Sequence, residues 1–216
     1  MGMADFVGLF EVLGDTLSSS AVDALQSLAK IPGVEDASWG FTYTTSRSLN
    51  FNFGVNLRLS TTNSLNGFSE STVFRSMVSA LGSVDELIVC CESTRLKGRA
   101  TGPISSSGEC VTHIVLPLCT QALRTAPDLQ SAAEILLDIP GVEDLSIGAS
   151  SAPRCLIIVR FTSAEAEEAY RDHPIHIDYK KWLLPNVDTN AQKEDGRKIP
   201  IVAVDFASPR VSAVPP

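Results

Sequence analysis

The clearest alternation in the chain runs from Phe51 to Leu59. There Phe51, Phe53, Val55, Leu57 and Leu59 fall on one face and Asn52, Asn56 and Arg58 on the other. A period of two predicts a strand with one apolar side. Weaker patterns flank it. Phe6–Leu13 reads as a first strand. Ser18–Ser20 can cap a helix that carries Val22, Leu25, Leu28 and Ala29 and ends at Lys30. A strand from Val34 to about Thr44 precedes the alternating segment. A helix from about Ser69 to Leu81 (Val73, Phe74, Met77, Val78, Leu81) and a strand Glu86–Glu92 follow it. The predicted order is β-α-β-β-α-β.

That order returns. Val111–Cys119 is a strand, Asp128–Asp138 a helix and Cys155–Phe161 a strand rich in Ile and Val. Thr162-Ser163-Ala164-Glu165 has the form of a capping box for a helix reaching Asp172. His173-Pro174 breaks that helix, and Pro174 suits the first position of another. Asn186–Lys198 is a polar loop, and Ile199–Phe206 is the last strand.

The two passes share one stretch. Ile31-Pro32-Gly33-Val34-Glu35-Asp36-Ala37-Ser38-Trp39-Gly40 recurs as Ile139-Pro140-Gly141-Val142-Glu143-Asp144-Leu145-Ser146-Ile147-Gly148, differing only at Ala37/Leu145 and Trp39/Ile147. The copies are offset by half of the 216-residue chain, the signature of an internal duplication. Each marks a helix-to-strand corner: proline cannot continue the helix and glycine supplies the turn. The acidic pairs Glu35/Asp36 and Glu143/Asp144 recur with it, which argues for shared structure, since a single asymmetric site needs only one copy. Trp39 reads as sheet core, and Asp205 as a surface or turn partner.

A four-stranded sheet with two helices on one face leaves its other face bare. Two such sheets in one chain can bury those faces against each other. The expectation is an α+β fold, a two-sheet barrel within one chain with a cavity between the sheets. Its expected parts are a first half at 1–93, a linker at 94–109 rich in Gly, Ser and Pro, a second half at 110–207 and a flexible tail at 208–216.

Composition narrows the partners. At 44% hydrophobic the chain can bury a core. A net charge of −8 and a pI near 4.9 argue against nucleic acid and anionic membranes. No apolar run reaches the roughly 18 residues of a membrane span. Met1-Gly2-Met3-Ala4-Asp5 lacks a basic leader, Phe6 stands where a myristoylation motif wants Ser or Thr, and Ala213-Val214-Pro215-Pro216 is no peroxisomal signal. A cytoplasmic location is expected. The five cysteines include no C-x-x-C pair, and Cys90 and Cys91 point to opposite faces of a strand. Reduced thiols and no zinc site are expected.

The second half resembles a known family over about Val111–Ala207. The resemblance is carried by Val111-Thr112-His113-Ile114-Val115-Leu116, Ile139-Pro140-Gly141-Val142, Phe161-Thr162-Ser163, Tyr170-Arg171-Asp172-His173-Pro174-Ile175-His176 and Val204-Asp205-Phe206. These resemble the stress-responsive α/β-barrel (Dabb) family of the dimeric α/β-barrel superfamily. The first half keeps Ile31-Pro32-Gly33-Val34 and Trp39-Gly40 but has no histidine, and Asp5 stands in the place of His113. Tandem forms of the family occur in plants, and this chain resembles one. The resemblance implies two ferredoxin-like halves forming an intramolecular, pseudo-dimeric barrel, with further self-association open, and links to stress or defence. One enzyme relative, olivetolic acid cyclase, closes a linear polyketide by aldol condensation without a metal. Its tyrosine and histidine match Tyr170 and His176, and its early histidine matches His113.

The expected site is therefore Tyr170, His176 and His113, with no cofactor and no metal, and a small aromatic or polyketide ligand. A neutral imidazole can take a proton from a carbon acid, and a tyrosine hydroxyl can donate to the enolate oxygen that develops. His176 is then the base, Tyr170 the polarising group, and His113 lines the cavity. The plainer reading stands beside it: His173 caps a helix, His176 bonds a backbone carbonyl and Tyr170 is core. His173-x-x-His176 straddles a proline with no acidic partner fixed in sequence, which argues against a metal. Two function classes follow: a cofactor-free cyclase or lyase, and a non-catalytic ligand-binding or protein-interaction module.

Overall fold

The computed structural model describes residues 3–43, 50–61, 68, 71–98, 109–120, 127–150, 154–188, 200–209 and 211–212. The first pass of elements is β1 (Met3–Val12), α1 (Ser19–Leu28), β2 (Val34–Phe41), β3 (Phe53–Leu59), α2 (Thr72–Leu81) and β4 (Ser83–Lys97). The second is β5 (Glu109–Pro117), α3 (Pro127–Ala133) running into a 3₁₀ turn (Glu134–Asp138), β6 (Val142–Ser150), β7 (Cys155–Phe161), α4 (Ala164–Arg171), α5 (Pro174–Leu183) and β8 (Ile201–Pro209), followed by the short β9 (Val211–Ser212).

The repeated corner has the same geometry in both passes. Gly33 and Gly141 take φ of 88° and 85°, a region that favours glycine. Val34 and Val142 donate to the carbonyls of Ile31 and Ile139, at 3.0 and 3.2 Å. Serines cap the helices as their chemistry dictates: Ser18 accepts from Ala21 N, Ser71 from Phe74 N and Ser163 from Ala166 N. The cap of α4 is thus Ser163, one residue later than the capping box expected from Thr162, whose hydroxyl instead bonds the Gly141 carbonyl at 3.4 Å.

The strands form one antiparallel sheet in the order β8-β5-β7-β6-β4-β1-β3-β2-β9. The expectation of two facing sheets is therefore corrected. The long β4 pairs with β1 along its first part and continues past residue 93 to pair Cys91–Lys97 with Asp144–Ser150 of β6. The expected linker therefore begins inside a strand, and its residues 99–108 lie outside the described residues. The ends of the sheet also meet. Thr42 bridges to Phe206, Tyr43 N donates to the Asp205 carbonyl at 3.0 Å, and Ser212 and Val211 pair with Asp36 and Ala37. The expected flexible tail is thus partly strand, while residues 213–216 lie outside the described residues.

Apolar residues gather in three clusters. One packs α1 and α2 against β1–β3 through residues such as Leu25, Met77, Phe6 and Phe53. A second packs α3–α5 against β5–β7 through Leu129, Leu183, Ile157 and Phe161. The third contains strand residues of both passes, among them Val7, Leu9, Ile114, Ile158, Val204 and Phe206, and fills the space inside the ring of strands. That interior is not uniformly apolar. Asp5, Asn56, Arg58, Asp144 and Ser146 are buried there as well, so every residue of β3 is buried and the predicted polar face of Asn56 and Arg58 does not meet solvent. Phe51 leaves the face of Phe53 for the interior cluster, because Asn52 turns the chain by bonding both backbone groups of Val12 at 2.8 Å.

Candidate functional site

Along β5, Val111 and Val115 face α3–α5 while Ile114 and Leu116 face the interior. Alternation puts His113 on the helix side. Tyr170 comes from α4 and packs on Phe161, with ring centroids 4.8 Å apart. His173 is the N-cap of α5 and accepts from Ile175 N at 3.3 Å. His176 follows in the first turn, its ring stacked on Tyr170 at 4.0 Å and 24°. The His113 ring meets Tyr170 edge-on at 6.1 Å. His113, Tyr170 and His176 thus border one cavity of about 150 Å³, whose walls include Val115, Ile157 and Leu183. It lies between the sheet and α4/α5. This cavity is on the helix side of the sheet, and not between the strands of the two halves, where the third apolar cluster packs.

Hydrogen bonds fix the two cavity imidazoles. His176 Nδ1 lies 3.0 and 3.1 Å from the carbonyls of Tyr170 and Arg171. Carbonyls only accept, so the proton sits on Nδ1 and the Nε2 lone pair is left over. Burial, helped by nearby Lys180, lowers this group to about 4, so His176 is neutral near pH 7. His113 Nδ1 pairs with the Asp205 carboxylate across the β5–β8 ladder, where the two residues are in register. A carboxylate only accepts, so Nδ1 donates to Asp205, and in the neutral tautomer of His113 the acceptor is Nε2. Asp205 is buried, and its second oxygen lies 3.5 Å from Arg171 Nη2. Arg171 in turn pairs with Glu167, whose carboxyl burial pushes up. Burial holds the Tyr170 hydroxyl well above its ordinary value, with further contributions from Tyr179, Asp205 and Glu167, so it is a donor and not a phenolate.

Sequence reading brought His113, Tyr170 and His176 forward but set Asp205 aside as a surface or turn partner. Asp205 is instead a buried partner of His113. Only strand register, across a long sequence separation, joins the two. Tyr179, also in the cavity wall, was not singled out. Its spacing of three from His176 was the available signal. Among the described residues, no group of three His, Cys, Asp or Glu side chains is placed to hold a metal ion. The five cysteines are all thiols, with Cys90 and Cys91 in different apolar clusters. Among the described residues no helix is long and apolar enough to cross a membrane.

No protein-family model matches the chain, and no curated protein matches it. Solved structures do. A protein provisionally named a monooxygenase, from Fusobacterium nucleatum subsp. nucleatum, aligns over 98% of this chain and 94% of its own, with a TM-score of 0.67 at 9% identity. An anthrone oxidase-like protein aligns over 100% and 95%, with a TM-score of 0.59 at 16% identity. At these identities the likeness is one of fold. A Dabb family protein with a ferredoxin-like fold, from Mesorhizobium loti, covers 42% of this chain and 95% of its own at 15% identity; its TM-score is 0.35, too low to assign a fold.

Proposed function

We propose that this chain is a tandem stress-responsive A/B barrel (Dabb) protein whose second half works as a cofactor-free, small-molecule enzyme of cyclase or lyase type. The supporting observation is the convergence of His113, Tyr170 and His176 on one largely apolar cavity. An apolar cavity near 150 Å³ admits a single benzene-sized ring. His176 presents an unprotonated Nε2, His113 presents an imidazole backed by a carboxylate, and one phenol presents a proton. That set can remove a proton next to a carbonyl and stabilise the enolate oxygen without a metal.

The division of labour differs from the one expected. His176, held near 4, is a weak base at neutral pH and serves better as a neutral acceptor that orients a ligand. His113, backed by the Asp205 carboxylate, has a counter-charge for the imidazolium that forms when it takes a proton. We assign the base to His113, the donor to Tyr170 and ligand orientation to His176.

One observation favours a second reading. Tyr170 and His176 also have full structural roles, one packed on Phe161 and the other bonded to two carbonyls. A non-catalytic ligand-binding or protein-interaction module fits those roles equally. A thermal-shift screen of small aromatic acids, phenols and linear polyketide mimics separates the readings. Wild type should be stabilised by a ligand that Tyr170→Phe/His176→Ala no longer binds, and turnover of that ligand should depend on His113. Ligand stabilisation without turnover would leave the binding module; no stabilisation by any compound would remove both small-molecule roles.

A further inference from the structure

The cavity wall has an exposed side, and a cation stands on it. Most of the wall is buried or half-buried, but Lys180 and Leu184 are exposed, so the cavity meets solvent near the end of α5. Lys180 follows His176 by four residues and Leu184 follows Lys180 by four, which sets the three in one row along α5 and the turn after it. A lysine can lay its methylene stem on apolar wall while its ammonium stays in water.

The ammonium is held beside His176. Lys180 Nζ donates to the Arg171 carbonyl at 3.5 Å, the same oxygen that takes the His176 Nδ1 proton at 3.1 Å. Two of its three N–H groups remain for other acceptors. The cations nearby are already engaged: Arg171 with Glu167 and Asp205, and Lys181 with Asp178 at 2.8 Å. Among the described residues Lys180 forms no such ion pair. It is also the only cation in the wall among the described residues. Across the cavity, on the sheet side, the Asp205 carboxylate behind His113 repels an anion. The two charges therefore orient an anionic ligand, with its charge at the mouth and its neutral part toward His113.

We propose that Lys180 is a binding residue that selects carboxylates: a ring enters the apolar cavity and its carboxylate stays at the mouth, on the Lys180 ammonium. The proposal rests on the ligand cavity of the proposed function and names its ligand class, a small aromatic or cyclic carboxylate. A carboxylate at the mouth keeps part of its water, which avoids the cost of a buried charge. The chain as a whole carries a net charge of −8 and repels anions, so a local cation at the entrance is what admits one.

The test uses the full chain, with benzoate and benzamide as probes of matched shape and different charge. Lys180 is exposed, so Lys180→Gln and Lys180→Arg keep the fold. In calorimetry, Lys180→Gln should weaken benzoate about fivefold, as expected for an ion pair at a solvated rim, and leave benzamide unchanged. Lys180→Arg should bind benzoate like wild type. Added salt should bring wild-type affinity for benzoate down toward that of Lys180→Gln. Benzoate binding unchanged in Lys180→Gln, or an equal loss for both probes, overturns the proposal and leaves the cavity reading standing. So does a wild type that binds benzamide but not benzoate. If wild type binds neither probe, the ring cavity fails and this proposal fails with it.

Discussion

Arg58 of β3 reaches Asp144 of β6, with Nη2 3.5 Å from Oδ1, while Arg160 of β7 pairs with Asp36 of β2. The two contacts are counterparts. Asp36 and Arg58 are in register on β2–β3, as Asp144 and Arg160 are on β6–β7. Each half therefore lends its arginine to the other half's aspartate, as in an isologous dimer interface drawn into one chain. This accounts for the aspartates repeated with the Ile-Pro-Gly-Val corner.

The two aspartates should not be equally important. Asp144 is buried and gathers Arg58, Arg95 at 2.7 Å and Arg160 at 4.0 Å. Removing it takes an anion from buried Arg58, which keeps Asp5 at 3.5 Å, and from Arg160, which keeps Asp36, so Asp144→Ala should cost about 3 kcal/mol, the low end for a broken buried pair. The Asp36 side chain is 24% exposed, so water can take its place, and Asp36→Ala should cost about 1 kcal/mol or less. Urea denaturation of the two variants measures the difference, and equal losses would contradict the asymmetry.

The glycine that ends each repeat lets the halves approach. A Cβ on Gly148 would meet Cys91 Sγ and, at 2.6 Å, the Glu92 carbonyl of β4; one on Gly40 would meet the Ala207 carbonyl of β8. A carbonyl held in a strand ladder cannot move aside cheaply. Gly148→Ala should therefore cost about 1–3 kcal/mol, seen as a Tm lower by roughly 2–4 °C per kcal/mol. A variant melting with wild type would show that the β4–β6 seam is looser than it looks.

Much of the architecture was legible because its signals are local. The period of β3, the serine caps and the Pro-Gly corners each depend on a few neighbouring residues. What failed was long-range. The polar face of β3 is plain in its period of two, but nothing near Arg58 in sequence says that Asp144 and Ser146 lie opposite it inside the protein. His113, Tyr170 and His176 could be named from their motifs, but not the side of the sheet they share. That depends on His113 alternating with Ile114 and on the interior being filled from both halves. Asp205 was misread because its role comes from ladder register alone, and strand pairing of Val211 and Ser212 was hidden in a proline-rich tail.

Burial of His176 couples stability to pH. The group ionises near 6.5 in the unfolded chain and near 4 in the folded one, so between those values only the unfolded state takes up the proton. Stability should fall as pH drops from 6.5 toward 4. Part of the ring is exposed, which moderates the size of the effect. Denaturation of wild type and His176→Gln at pH 7 and pH 5 isolates it: wild type should lose more stability between these values than the variant does. Equal losses, or a His176 resonance titrating near 6.5, would mean the ring is more solvated than the structure shows.

The His113–Asp205 pair yields the sharpest prediction about chemistry. A carboxylate can only accept, so it holds a His113 proton on Nδ1, and in the neutral ring the lone pair is then on Nε2. An amide can turn its NH₂ toward the ring. Asp205→Asn should therefore let the proton move to Nε2, visible in imidazole ¹⁵N spectra, while the backbone ladder persists. Arg171 would keep Glu167 but lose its other anion, so a stability loss of about 1–3 kcal/mol should accompany the change. Any turnover that depends on His113 as base should drop by about 10²-fold or more, and the drop should exceed that of Glu167→Gln, which touches Arg171 and not the imidazole. If Asp205→Asn keeps the Nδ1 proton and full turnover, Asp205 does not position His113, and the base must be sought at His176.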